Sequence, residues 1–162
     1  DAICITTNGF VKKNGRSVMA RGCAFQAVGR WPEIDKELGD AIKQHGNVPT
    51  VLLSLRNMKY DVLSFPVKED YVVCSETKDN LLKYKKRRYK AGSRVPGWAS
   101  VADIEVIKNS CRHLVTISDS MGYKKVILPR PGCGAGELDW EFVAREIAPI
   151  LDDRFHIITL KS

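Results

Sequence analysis

Short β-branched apolar runs alternate along the chain with longer stretches of helical period. Residues 2–7 read as a buried strand that meets a turn at Asn8-Gly9. Residues 10–19, rich in Asn, Gly, Lys and Arg, read as a loop. From about Ala20 a helix is expected, with Cys23, Ala24, Ala27, Val28 and Trp31 at helical spacing and Pro32 closing it. Ile34, Leu38 and Ile42, spaced by four, predict a second helix that Gly46 caps. Residues 50–55 and 61–67 read as strands joined by a turn over 56–59. Ser100 is expected to cap a helix whose apolar face carries Ile104, Ile107, Cys111, Leu114 and Val115. Then follow a strand over 124–128, a loop over 129–136, a helix capped by Asp139 with Pro149 weakening its last turn, and a closing strand over 156–160.

Strands alternating with helices predict a three-layer α/β/α domain around a mixed, largely parallel sheet. Only residues from about 69 to 97 show no clean period, and they read as an insertion within a single domain spanning 1–162, partly helical near 80–89.

Charge changes this picture at one place. Of 26 basic residues, seven (Lys83, Lys85, Lys86, Arg87, Arg88, Lys90 and Arg94) stand inside the insertion with no acid among them, and the rest equal the 19 acidic ones. The domain is thus balanced and carries one basic segment. No apolar run has the roughly 20 residues of a membrane helix, and no charged leader precedes the opening segment, so no membrane partner is expected. The five cysteines are scattered without a C-x-x-C pair, and His45, His113 and His156 cluster with nothing. A disulfide framework and a metal site are both disfavoured, and the expectation is a cytoplasmic protein without metal or cofactor.

The chemistry concentrates in two loops. In Val126-Ile-Leu-Pro-Arg-Pro-Gly-Cys-Gly-Ala-Gly-Glu-Leu-Asp-Trp140 a buried strand runs into three alternate glycines and then a capped helix. In a parallel sheet such a loop lies at the strand's carboxyl end, where ligands bind. Gly132, Gly134 and Gly136 let backbone amides converge without Cβ obstruction, an anion nest suited to a diphosphate. Thr6-Thr7-Asn8-Gly9 also follows a buried strand, and Arg21-Gly22-Cys23-Ala24 opens the next helix. An Asn there can offer its amide to a sugar hydroxyl, and a helix start with small residues allows close approach of a ligand.

These paired motifs, Ile5-Thr-Thr-Asn-Gly9 with Gly22-Cys23-Ala24 and Leu128-Pro-Arg-Pro-Gly-Cys-Gly134 with Leu138-Asp-Trp140, resemble macro domains. The branch they resemble includes phage and bacterial ADP-ribose 1″-phosphate phosphatase-like proteins and ADP-ribosyl glutamate hydrolases. The resemblance implies ADP-ribose, or an ADP-ribosylated substrate, as ligand. It places Thr7, Asn8 and Gly9, with Arg21, Gly22, Cys23 and Ala24, at the distal ribose and phosphate. Pro131, Gly132, Cys133, Gly134, Ala135 and Gly136 wrap the diphosphate from the other side. It also departs from the pattern. The family's strand and Gly-Asp pair before the Asn loop, whose Asp contacts adenine, precede the point where this sequence starts. Gly136 stands where the hydrolase branch carries a helper Asp, and Glu137 stands where another glycine is expected.

The catalytic candidates are Asn8, Lys68 and Asp139. Lys68 falls where the glutamate-hydrolase branch has its nucleophilic lysine, but Glu69 and Asp70 beside it are expected to raise its pKa. Asp139 is first a helix cap, and it or Glu137 would serve as acid or base. A route without a protein nucleophile, in which Asn8 and the loop amides position water, is preferred at this level. Two other readings stand beside hydrolysis of an ADP-ribosyl bond or of ADP-ribose 1″-phosphate. One is a non-catalytic ADP-ribose reader. The other is a nucleic-acid-binding protein with structural glycine loops, its phosphate contacts and stacking supplied by the basic run with Tyr84 and Tyr89.

Overall fold

Burial on both faces is what keeps the first strand apolar. Ala2 and Cys4 pack into one core cluster while Ile5 packs into another on the opposite side of the sheet. The computed structural model, which describes residues 1–159, builds β1 (Ala2–Asn8), α1 (Gly22–Arg30), α2 (Ile34–His45), β2 (Val51–Leu55) and β3 (Tyr60–Lys68) from the first half of the chain. The second half gives β4 (Tyr71–Val73), β5 (Arg94–Pro96), α3 (Ile104–Met121), β6 (Val126–Pro129), α4 (Trp140–Ile147) and β7 (Phe155–Ile158). The main sheet runs β2-β3-β1-β6-β7, parallel except for β2, which pairs antiparallel with β3. Helices α1 and α2 cover one face through Ala24, Ala27, Ile34 and Leu38. Helices α3 and α4 cover the other through Ile107, Cys111, Leu114, Val143 and Ile147. This is the three-layer, largely parallel architecture that the periodicity predicts. Among the described residues no helix is long and apolar enough to cross a membrane.

Two expectations need correction. The cap of α3 is Asp103, whose carboxylate accepts the Glu105 amide at 2.8 Å, and not Ser100. Ser100 is buried and its hydroxyl donates to Gly97 O at 2.7 Å, because a 3₁₀ turn over Gly97–Ala99 ends there. The predicted last strand ends at Ile158, and Leu160 lies outside the described residues.

The aperiodic segment folds around a cluster of its own. Cys74, Leu81, Val95 and Ala99 are buried together, with Val72, Tyr89 and Trp98 against them, beneath the β4–β5 pair. A 3₁₀ turn over Lys83–Arg88 carries most of the basic run.

Candidate functional site

Three parallel strands end at one edge of the sheet: β1 at Asn8, β3 at Lys68 and β6 at Pro129. Their register sets Asn8 directly beside Lys68, after an irregularity between Thr7 and Asn8 where Pro66 sits on the partner strand. Proline has no N–H for the ladder, so the pairing breaks there. Between the loops that follow β1 and β6 lies a cavity of about 770 Å³.

Most residues expected to bind ligand line this cavity. From the first half come Thr7, Asn8, Arg21, Gly22, Cys23 and Ala24; from the second, Gly132, Cys133, Gly134, Ala135 and Gly136. Lys68 and Asp139 line it too. Gly9 and Pro131 do not. Gly9 is packed under the loop, where a Cβ would lie 2.7 Å from the Asn47 amide nitrogen and 2.9 Å from the Asp70 nitrogen. Pro131 is buried beneath the glycine loop, its carbonyl accepting the Cys133 thiol at 3.4 Å.

The side chain of Asn8 turns out to be engaged with backbone. Its Nδ2 donates to Val18 O at 3.0 Å, and its Oδ1 accepts the Phe10 amide at 2.9 Å. It thereby pins the loop over 9–19 against the strand end, which leaves less of the amide free to orient water than the sequence implies. Thr7 Oγ1 is buried in the cavity wall with no hydrogen-bond partner among the described residues. Helix α1 begins at Gly22 (φ 59°) with no side-chain cap and no acid in its first turn, so its leading amides are left for a ligand. Asp139, in contrast, is occupied as the cap of α4, accepting the Phe142 amide at 3.1 Å.

In the second loop Gly132 takes φ 76°, a left-handed conformation that favours glycine. At Gly136 a Cβ would lie 2.6 Å from Gly132 O and 2.7 Å from the Ala102 Cβ. No aspartate fits there, which accounts for the absent helper acid. Gly134 is different: it lines the cavity, and a Cβ on it meets nothing within 4 Å. Glu137 adopts φ 63°, so the backbone keeps the glycine-like turn that the resemblance implies. Its carboxylate accepts the Lys83 amide at 3.1 Å and so ties this loop to the basic segment.

Lys68 is only 7% exposed, and its amine donates to Trp98 O at 3.4 Å. Burial, opposed by Glu137 and aided by Arg21, lowers its pKa to about 8. The expectation that Glu69 and Asp70 would raise it is overturned, since both are exposed beyond the strand end and desolvation governs the amine.

Sequence reasoning missed one wall of the cavity. Leu82, Tyr84, Lys85 and Trp98 of the insertion line it, and Leu82 is fully buried. Tyr84 was legible as an aromatic among cations, but the placement of Leu82 and Trp98 carried no periodic signal. The opposite end is lined by Arg130, Trp140, Ile158 and Thr159, with the Arg130 guanidinium 4.9 Å above the Trp140 ring.

No protein-family model matches this sequence, and no curated protein does. Solved structures do match. The macrodomain of Mycobacterium tuberculosis DarG superposes with TM-score 0.64 at 19% identity, over 99% of this chain and 89% of that one. The macrodomain of Thermus aquaticus DarG gives TM-score 0.64 at 18% identity, again over 99% and 89%. Thermosipho africanus DarTG in complex with ADP-ribose gives 0.64 at 20% identity, over 96% of this chain and 37% of that chain. The chain has the macrodomain fold.

Proposed function

We propose that the cavity binds the ADP-ribosyl group and that Lys68 hydrolyses its bond to a carrier. The observation that carries this reading is the buried Lys68 amine opening into a cavity walled by two glycine-bearing loops. A lysine with a pKa near 8 is partly neutral at physiological pH and so can act as a nucleophile. Its attack on the anomeric carbon forms a C–N bond as the bond to the carrier breaks, with the electron pair leaving on the carrier. Loss of a proton and opening of the sugar give an iminium that water hydrolyses, returning lysine and free ADP-ribose. The similar fold of a DarTG structure that holds ADP-ribose supports the choice of ligand. The commitment of Asn8 to Val18 and Phe10 favours lysine attack over the water route.

The test is to incubate the protein with an ADP-ribosylated substrate and borohydride, then look for one ADP-ribosyl mass on a Lys68 peptide. Adduct in the wild type and none in Lys68→Ala is the expected result. Turnover that persists in Lys68→Ala restores the water route. ADP-ribose binding by calorimetry without any turnover leaves a reader, and no binding overturns the reading altogether.

The basic segment bears on the carrier. One of its seven cations, Lys85, lines this cavity. A segment of that charge favours an anionic carrier, and nucleic acid is the class we propose for it.

A further inference from the structure

At the Lys68 end, the cavity is closed by a chain of aromatic rings and cations that joins α1 to the insertion. Trp98 O accepts the Lys68 amine at 3.4 Å. The Lys85 ammonium stands 5.0 Å from the Trp98 ring centroid and 5.3 Å from that of Tyr84. The Arg21 guanidinium stands 4.7 Å from the same Tyr84 ring. Rings hold cations in place without cancelling their charge. Among the described residues, neither Arg21 nor Lys85 forms a salt bridge with a carboxylate.

We propose that Arg21, Tyr84 and Lys85 form the subsite for the group that leaves when the ADP-ribosyl bond breaks, and that this subsite takes an oxyanion, a carboxylate or a phosphate. The inference rests on the reading of Lys68 given above. When the amine of Lys68 attacks, the C1″–O bond breaks and its electron pair stays on the departing oxygen. That charge needs either a proton donor or a positive field. The carboxyl groups of the second loop are committed: Glu137 accepts the Lys83 amide, Asp139 caps α4, and position 136 has no room for a side chain. The cations on Tyr84 supply the field. A carboxylate or phosphate departs in such a field without being protonated, whereas a guanidine nitrogen departs only with a proton.

The experiment compares kcat/KM of the full chain on three substrates: ADP-ribose 1″-phosphate, a glutamate-ester ADP-ribosyl peptide, and an arginine-linked ADP-ribosyl peptide. Wild type is expected to favour the oxyanion substrates over the arginine-linked one by at least about 10²-fold, the usual worth of a missing general acid. The ranking of phosphate against ester shows which source the subsite prefers. Arg21→Gln with Lys85→Gln is expected to shrink that preference about tenfold or more by removing the field. Tyr84→Phe keeps the platform and the preference, and Tyr84→Leu loses both; this pair serves if the double variant is unstable. Turnover of oxyanion substrates with the preference unchanged in Arg21→Gln/Lys85→Gln and in Tyr84→Leu overturns the subsite but leaves the role of Lys68 standing. Equal wild-type rates on arginine-linked and ester substrates do the same. No turnover of any of the three, with no adduct on Lys68, overturns both.

Discussion

Gly134 and Gly136 stand two residues apart in one loop and make opposite demands. A side chain at 134 meets open cavity, whereas one at 136 meets backbone and the Ala102 methyl. Gly134→Val is therefore expected to melt within a degree or two of wild type, in keeping with a solvent-side change. It should nonetheless lose ADP-ribose binding in calorimetry, because the branched side chain fills the nest. Gly136→Asp is expected to lower stability by several kcal/mol in urea denaturation through overpacking. A fully stable Gly136→Asp would show that the loop has another conformation. Lys68 gives a second prediction. Its folded pKa of about 8 lies below the ordinary lysine value of 10.5, so between those pH values the unfolded chain binds more protons than the folded one. Stability then rises with pH across that window, and below pH 8 the buried amine costs on the order of 3 kcal/mol. Lys68→Met is expected to stabilise the protein at pH 7 by about that amount, a gain that fades towards pH 10.5, when unfolding is followed by urea titration at each pH. Wild-type turnover should rise through pH 8 as the amine is deprotonated. At this scale the sequence made the residues legible as types. It did not reveal that Lys68 is buried or that Asn8 is engaged, because both facts depend on what the insertion and the loop over 9–19 do in space.

Among the elements, the parallel strands and amphipathic helices were readable because each buries a face with its own period. β1, β3 and β6 are near-continuous apolar runs, and α3 repeats its core residues at Ile107, Cys111 and Leu114. The cap of α3 was misread by three residues: Ser100 and Asp103 are both good capping types, and only tertiary contacts choose between them. Asp103→Ala is expected to cost about 1 kcal/mol in urea, as for other N-caps, and Ser100→Ala should leave the helix start unchanged. The insertion was opaque for a different reason. Its core residues Cys74, Leu81, Val95 and Ala99 come from separate short pieces, so no window contains a repeat. Its outer charges carry a separate prediction. Replacing Lys86, Arg87, Arg88 and Lys90 with Ser, and leaving Lys85 where it packs on Trp98, should flatten the salt dependence of binding to an ADP-ribosylated oligonucleotide. Free ADP-ribose binding should change far less with salt. An unaltered salt slope in that variant would reduce these residues to a solvated surface.

In the whole molecule, the central sheet and its two helical layers form two large clusters, and the insertion forms a third, smaller one. The third is joined to the rest by a few backbone bonds, among them Gly9 N to Glu69 O and Val101 N to Asn80 O, and by the Glu137 clasp on Lys83. This organisation has a consequence in time. A small cluster sealed by few bonds opens at a lower free energy than the sheet beneath it. Deuterium should therefore reach the amides of β4, β5 and the 83–88 turn well before those of β1, β3 and β6. Because that same cluster supplies Tyr84, Lys85 and Trp98 to the cavity wall, a molecule deep in the cavity leaves at the pace at which this wall swings aside. The residence time of bound ADP-ribose should then lengthen with added viscogen and shorten in Glu137→Ala, which unfastens the wall while leaving the Lys68 amine in place.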